Sequence, residues 1–320
     1  AGLALAACSG GGGGTDSDSN ATTDSSSSSS TGDSSSTSDS TSTGADTETT
    51  GMSTTGADTA ADGEPCAANG ECMSAACLKW TDAAAGECVP APEGGNSRIA
   101  GTVLDFVTGA TVGGAELRVV GALSALGDPA EATALVTATS MADGRIDVTT
   151  AEPLAAPIGI VATITSPDHY LAATGLASPV VGTTYGPMNS IRDIWALPEK
   201  TRLEWNALLV DDMELASFLP IGDKGGVIGK VRDAGTGEGI AGAKVVPEAG
   251  TTNALIRYLN EAGDGFVSDA TASSGVFVLV NPSLAEAFYA EVDGAAITAA
   301  GKAGSASKNG VFMLILNTSN

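Results

Sequence analysis

The sequence predicts an all-β chain built from two antiparallel sandwiches in tandem, with one helix between them. A polar tether and a small cysteine-rich segment precede them. Three observations carry this reading. A run of strand and turn residues recurs 128 positions later in the same chain. Cys66, Cys72, Cys77 and Cys88 crowd into 23 residues. Residues 9–64 contain no Val, Ile, Leu, Phe, Tyr or Trp, whereas strand-forming residues fill the chain beyond residue 97. The division that follows is 1–8, 9–64 (tether), 65–96 (cysteine segment), 97–198 (first sandwich), 199–224 (linker helix) and 225–320 (second sandwich).

Composition narrows the function classes. The 320 residues carry 14 Lys plus Arg against 38 Asp plus Glu, a net charge of −24. Binding nucleic acid through a basic face is therefore not expected. A single His rules out a His-rich metal site, and neither a metal nor a cofactor is expected. No run of 18 apolar residues occurs, so no helix is expected to span a membrane.

The chain opens Ala-Gly-Leu-Ala-Leu-Ala-Ala-Cys. Leu5-Ala6-Ala7-Cys8 resembles the bacterial lipoprotein lipobox, at the end of a signal-peptide apolar region. The resemblance implies a mature N-terminus at Cys8, acylated on its thiol and anchored in a lipid bilayer. Each buried methylene of such chains contributes about 0.8 kcal/mol. Ser9, rather than Asp, follows the cysteine, which by the same resemblance points to the outer membrane.

From Thr15 to Ala60, 28 of 46 residues are Ser or Thr, and all ten charges in 1–64 are acidic. Such a segment buries too little apolar surface to offset the entropy of ordering, so a disordered tether is expected. As a flexible coil it spans roughly 40 Å. Asp16-Ser17-Asp18-Ser19-Asn20 falls short of a calcium loop, because Ala21 and Ser27 stand where an EF-hand needs Gly and Glu. The sequons at Asn20 and Asn317 are expected to be idle behind a lipobox.

The four clustered cysteines are spaced by five, four and ten residues. An even count on an exported chain reads as two disulfides, with three pairings open. Only Cys72 and Cys77 have a metal-ligand spacing. Met73, Leu78, Trp80 and Val89 are the only sizeable hydrophobes nearby, so crosslinks must substitute for a core.

In the repeat, Ile99-Ala100-Gly101-Thr102-Val103-Leu104-Asp105 is matched by Val227-Ile228-Gly229-Lys230-Val231-Arg232-Asp233. Thr108-Gly109 matches Thr236-Gly237, and Gly114-Ala115 matches Gly242-Ala243. Seven positions are identical at this offset. Asp143-Gly144-Arg145-Ile146 then corresponds to Ser274-Gly275-Val276-Phe277, at offset 131. Period-two alternation makes the first stretch a strand, and Asp, Thr and Gly make the next a turn. Further strands are expected at 158–165 and 287–293, with closing strands at 189–197 and 310–317. Short strands with many turns and little helix indicate antiparallel sandwiches. Val103, Leu117 and Ile146 are expected in the first core and Val231, Val245 and Phe277 in the second, each copy independent of the other.

These motifs, G-x-V-x-D, then T-G, then V-x-G-A-x-V and a D-G-x-F strand pair, resemble the carboxypeptidase regulatory-like domain. The resemblance implies a transthyretin-like Greek-key sandwich over roughly 97–198 and 225–318. It says little about function, because its residues make turns and core. Arg145-Ile146 and Ser274 depart from the pattern.

Between the copies, Thr201 and Glu204 fit a capping box, and Trp205, Leu209 and Met213 recur at helical spacing. A helix near 202–218, ended by Pro220 and Gly222, follows. His169, in Ser166-Pro167-Asp168-His169-Tyr170, is expected to be an exposed turn residue. Asp211, Asp212 and Glu214 read as a solvated helix face. Lys230 and Asn317 stand near the places where related adhesin repeats form an isopeptide, but Lys230 is expected to face outward. With no usable catalytic set, the chain is expected to be a non-enzymatic, lipid-anchored display or adhesion protein of the cell envelope. The alternative is a carbohydrate-binding module using Tyr170, Tyr185, Trp195, Tyr258 or Tyr289. The expected partners are a lipid bilayer, reached through Cys8, and either a glycan or a surface protein.

Overall fold

The structure, a computed structural model, describes residues 59–177, 182, 184–304 and 308–318. Cys8, most of the tether and the Asp16–Asn20 stretch lie outside them.

The cysteine segment has three short strands, β1 (Pro65–Cys66), β2 (Cys77–Leu78) and β3 (Gly86–Cys88), with β3 in the middle. Of the three open pairings the fold adopts Cys66–Cys77 and Cys72–Cys88. All four cysteines are buried and pack on one another, which gives a polar segment its core. Beside them Ala76, Leu78 and Val89 pack against Ala100 of the first sandwich. Arg145 binds Asp82 at 2.9 Å and lies over the Trp80 ring. The segment is thus fastened to the sandwich.

The first sandwich comprises β4 (Ser97–Asp105), β5 (Glu116–Gly121), a short helix α1 (Ala122–Gly127), β6 (Ala134–Thr139), β7 (Arg145–Thr149), β8 (Leu154–Ala155), β9 (Ile160–Ser166), β10 (His169–Ala177), β11 (Thr184–Tyr185), β12 (Met188–Ile191) and β13 (Ile194–Pro198). β-branched runs such as Ile160-Val161-Ala162-Thr163-Ile164 suit a pleated, buried surface. One layer orders β6-β5-β9-β10, all antiparallel. The other places β4 between antiparallel β7 and the parallel pair β12 and β13. The expected single closing strand is broken at Arg192-Asp193. The break leaves the Arg192 carbonyl where a Cβ on Gly101 would stand, so only glycine fits there.

Helix α2 (Glu199–Leu209) begins directly after β13, three residues earlier than the sequence reading places it, and ends before Met213. The capping box is not formed: Thr201 lies inside the helix and Glu204 pairs with Lys200. Arg202 explains the shift. It is buried and needs both Glu199, at 2.7 Å, and Asp223, at 3.2 Å, so Glu199 must share its first turn. Trp205 and Leu209 face the core, while Met213 is exposed beyond the helix end.

The second sandwich comprises β14 (Val227–Arg232), β15 (Lys244–Pro247), β16 (Leu255–Leu259), β17 (Phe266–Val267), β18 (Val276–Val280), β19 (Ala287–Val292), β20 (Ala295–Ala296), β21 (Gly301–Lys302) and β22 (Val311–Asn317). One sheet orders β22-β14-β18-β16-β17, and the other is built on β15 and β19. All six expected core residues, Val103, Leu117, Ile146, Val231, Val245 and Phe277, are buried.

The two cores are not separate. β10 pairs in parallel with β22, Ala172 to Val311 through Thr174 to Met313, and continues one sheet into the next. One apolar cluster holds Ile99 and Val103 together with Val278 and Met313. The other holds Val161 and Ala173 together with Phe277 and Phe288. Edge-to-face rings run Trp195, Phe106, Trp205, Phe266, with neighbouring centroids 6.0, 6.2 and 6.1 Å apart. Ring quadrupoles favour this geometry.

Candidate functional site

A cleft of about 310 Å³ opens where the two sandwiches join. Sequence determines its floor. Gly175 of β10 presents no side chain, and a Cβ there would touch the Phe312 ring at 3.5 Å. Gly304 leaves room for the same ring. Apolar walls come from Leu126 of α1, Ile160 of β9, Leu284 and Phe312.

One side of the cleft is polar, and its groups are linked. Arg192, at the break between β12 and β13, donates from Nη1 to the Gly175 carbonyl at 2.8 Å. Its side chain is exposed and lines the cleft. Arg232, at the end of β14, donates to Asn317 Oδ1 at 2.7 Å, stands 3.9 Å from Asp193 and stacks over the Trp195 ring. Lys302 lines the same cleft and is exposed. Burial lowers the pKa of Arg192; it also lowers that of Arg232, against the opposing pull of Asp193. Both guanidiniums stay protonated at any working pH. Burial raises the Asp193 carboxyl, against the Thr81 hydroxyl and Arg232. Thr174 lines the cleft as well, and its buried hydroxyl has no hydrogen-bond partner among the described residues. The arrangement is suited to holding an anion next to an apolar surface.

Sequence reasoning missed these residues. The signal it passed over is the charged pair inside Ile191-Arg192-Asp193-Ile194-Trp195, an interruption of an otherwise apolar closing strand.

The residues it did single out fall elsewhere. His169 is not an exposed turn residue: it opens β10, its side chain is 14% exposed, and Nε2 lies 3.3 Å from Asp105 Oδ2. Asp211, Asp212 and Glu214 follow the helix rather than lie on it. Asp212 holds Arg257 of the second sandwich at 2.7 Å, and Glu214 joins it. Asn317 accepts from Arg232, while Lys230 sits opposite Ile315 in the ladder rather than opposite Asn317. Of the five aromatics considered for sugar stacking, Tyr185, Trp195 and Tyr258 are buried. Tyr170 is half-buried, with the Arg202 guanidinium 4.1 Å over its ring. Burial and the Asp223 carboxylate push its phenol up to about 12.

No protein-family model matches the chain, and no curated protein matches it. Solved structures do. A hydroxyquinol 1,2-dioxygenase from Pseudomonas putida DLL-E4 is 17% identical, over 34% of this chain and 58% of that one, with a TM-score of 0.23. A catechol 1,2-dioxygenase from Acinetobacter sp. ADP1 is 11% identical, over 33% and 54%, with a TM-score of 0.22. The shaft pilin SpaA from Lactobacillus rhamnosus GG is 11% identical, over 71% and 98%, with a TM-score of 0.21. The chain therefore spans little more than half the length of either dioxygenase. Enzymes as well as a pilin stand among these likenesses, so they do not bear out the expectation of a non-enzymatic chain. At such identities and TM-scores no activity, ligand or partner carries over to this chain.

Proposed function

We propose that the chain is a display or adhesion protein of the cell surface, held to the envelope through an acylated Cys8 and projected on the 9–64 tether. The observation that carries this reading is the β10–β22 pairing. It joins two sandwiches into one stiff head, at the end of a segment whose composition resists folding. The disulfide-bonded segment precedes the head in sequence and is fastened to it by Arg145–Asp82 and by Thr81 to Asp193 at 2.9 Å. Two disulfides within 23 residues suit an oxidising compartment. Among the described residues no helix is long and apolar enough to cross a membrane.

Expression of the full precursor with a labelled fatty acid tests the anchor. The label is expected on the protein, and protease added to intact cells is expected to release the head. A Cys8→Ser form that stays equally membrane-bound and labelled overturns lipid anchoring. A head that resists protease on intact cells but not on broken ones overturns surface display.

A further inference from the structure

We infer that the cleft between the sandwiches is a binding site for a small amphipathic carboxylate, a monoanionic head on an apolar body, of about ten heavy atoms in all. The inference is independent of the surface reading above.

Charge is the first argument. In a chain of net charge −24, three cations line one cleft, Arg192, Arg232 and Lys302, against a single acid, Asp193. Arg232 is shared between Asp193 and Asn317. Arg192 and Lys302 have no acidic partner among the described residues, and Arg192 uses one of its five donors on the Gly175 carbonyl. A guanidinium in a walled cleft with donors to spare matches a carboxylate, whose two oxygens it can meet side by side. Asp193 on the same wall argues against a dianion such as a phosphate ester, because like charges at this range repel.

Shape is the second argument. The volume, about 310 Å³, stands at the small end of ligand pockets. Leu126, Leu284 and Phe312 offer an apolar surface beside the cationic wall. The third argument is Thr174. Its side chain is buried, it lines the cleft, and its hydroxyl is unpaired. A buried hydroxyl left unpaired costs stability, and a ligand oxygen or an intervening water can restore the bond.

Octanoate and its neutral isostere octanamide are the probes, titrated into the full chain by calorimetry at low salt. Octanoate is expected to bind one to one, with Kd on the order of 0.1–1 mM. Octanamide is expected to bind about tenfold more weakly or not at all. Arg192→Gln should cost octanoate about tenfold and leave octanamide unchanged. Lys302→Gln, an exposed side chain that cannot affect folding much, should cost a smaller factor in the same direction. Arg98→Gln, which breaks a surface pair with Asp147 elsewhere, should change nothing. Equal binding of acid and amide overturns the carboxylate assignment. Octanoate binding that survives both Arg192→Gln and Lys302→Gln, or that Arg98→Gln weakens as much, overturns the location. No octanoate binding up to about 10 mM overturns the site, since that weakness leaves a binding free energy of about 3 kcal/mol or less in magnitude for the whole contact.

Discussion

In the first sandwich Gly101 faces a backbone carbonyl, that of Arg192; in the second, the glycine 128 residues on, Gly229, faces the ring of Phe277. The two glycines are identical in sequence and opposite Ile146 and Phe277 in matching ladders. They do different work. The adjoining turns, by contrast, agree bond for bond. Asp105 Oδ1 accepts from the Val107 amide at 2.9 Å, the Thr108 amide at 2.8 Å and the Thr108 hydroxyl at 3.0 Å. Asp233 Oδ1 accepts from Gly235, the Thr236 amide and the Thr236 hydroxyl at 2.9, 2.7 and 3.1 Å. Ser140 and Thr271 likewise each accept from a backbone amide, that of Ala115 or Ala243, and donate to the Val112 or Ile240 carbonyl. Local chemistry recurs because a short loop closes on itself. What a residue meets across the sheet depends on the rest of the molecule.

The sheets show the same division. β6 pairs with β5 in the first sandwich, whereas in the second β16 pairs with β17 and β18 and not with β15. The second sandwich buries Phe277, Phe288 and Phe312, whereas the first buries Ile99, Leu117, Ile146 and Ile164 beside Phe106, Tyr185 and Trp195. The copies also share clusters, and this gives the largest expected effect. Phe277→Ala removes a fully buried ring and should cost about 3–5 kcal/mol. Because Phe277 shares its cluster with Val161 and Ala173 of the first sandwich, the loss should lower one common calorimetric transition. Two transitions, with only one shifted, would break the reading of a joined core.

The glycines rank next. Gly101→Ala drives a methyl group into a carbonyl of the chain itself, which can move only with its strand. Gly229→Ala meets a ring that can tilt, though the Leu314 carbonyl is also near. Overpacking of this kind costs about 1–3 kcal/mol. Gly101→Ala is expected at the upper end and Gly229→Ala below it, read as midpoints in urea. The reverse order would show that the aromatic core is the stiffer surrounding.

This contrast also accounts for what could be read in the sequence. The turns, the Asp105 and Asp233 positions and the six core residues follow from spacings of one to a few residues, and they stand where the pattern puts them. The start of α2 does not, because a buried Arg202 outweighs a local capping signal that Thr201 and Glu204 offered. The disulfide pairing was open for the same reason: spacing limits loop length, while β3 between β1 and β2 decides which sulfurs meet. The cleft was the least legible feature. Thr174, Arg232 and Phe312 come from three strands and Arg192 from the break between β12 and β13, and the β10–β22 pairing of the two sandwiches brings them together.

The smallest expected effect concerns pH and tests how alike the two turns are. Burial raises the Asp105 carboxyl, but the Thr108 amide and hydroxyl, the Val107 amide and His169 outweigh it, and the net pKa is lowered. The Asp233 carboxyl is lowered by the Thr236 amide and hydroxyl, with little burial against them. In both cases the unfolded chain takes up the proton more readily than the folded one, so stability falls as acid is added. The contribution is complete above the unfolded value of about 3.9 and is lost as pH falls through the lower folded values. Asn keeps the accepting oxygen but cannot titrate. Asp105→Asn should therefore leave stability near neutrality within about 1 kcal/mol, and flatten its decline below about pH 4. Asp233→Asn should flatten it less, since no His stands beside its carboxylate, which has Thr318 in that place. Urea midpoints at a series of pH values from about 2 to 6 would measure both. Equal flattening by the two variants would mean that the His169 contact adds nothing, and that the two turns are equivalent in energy as well as in geometry.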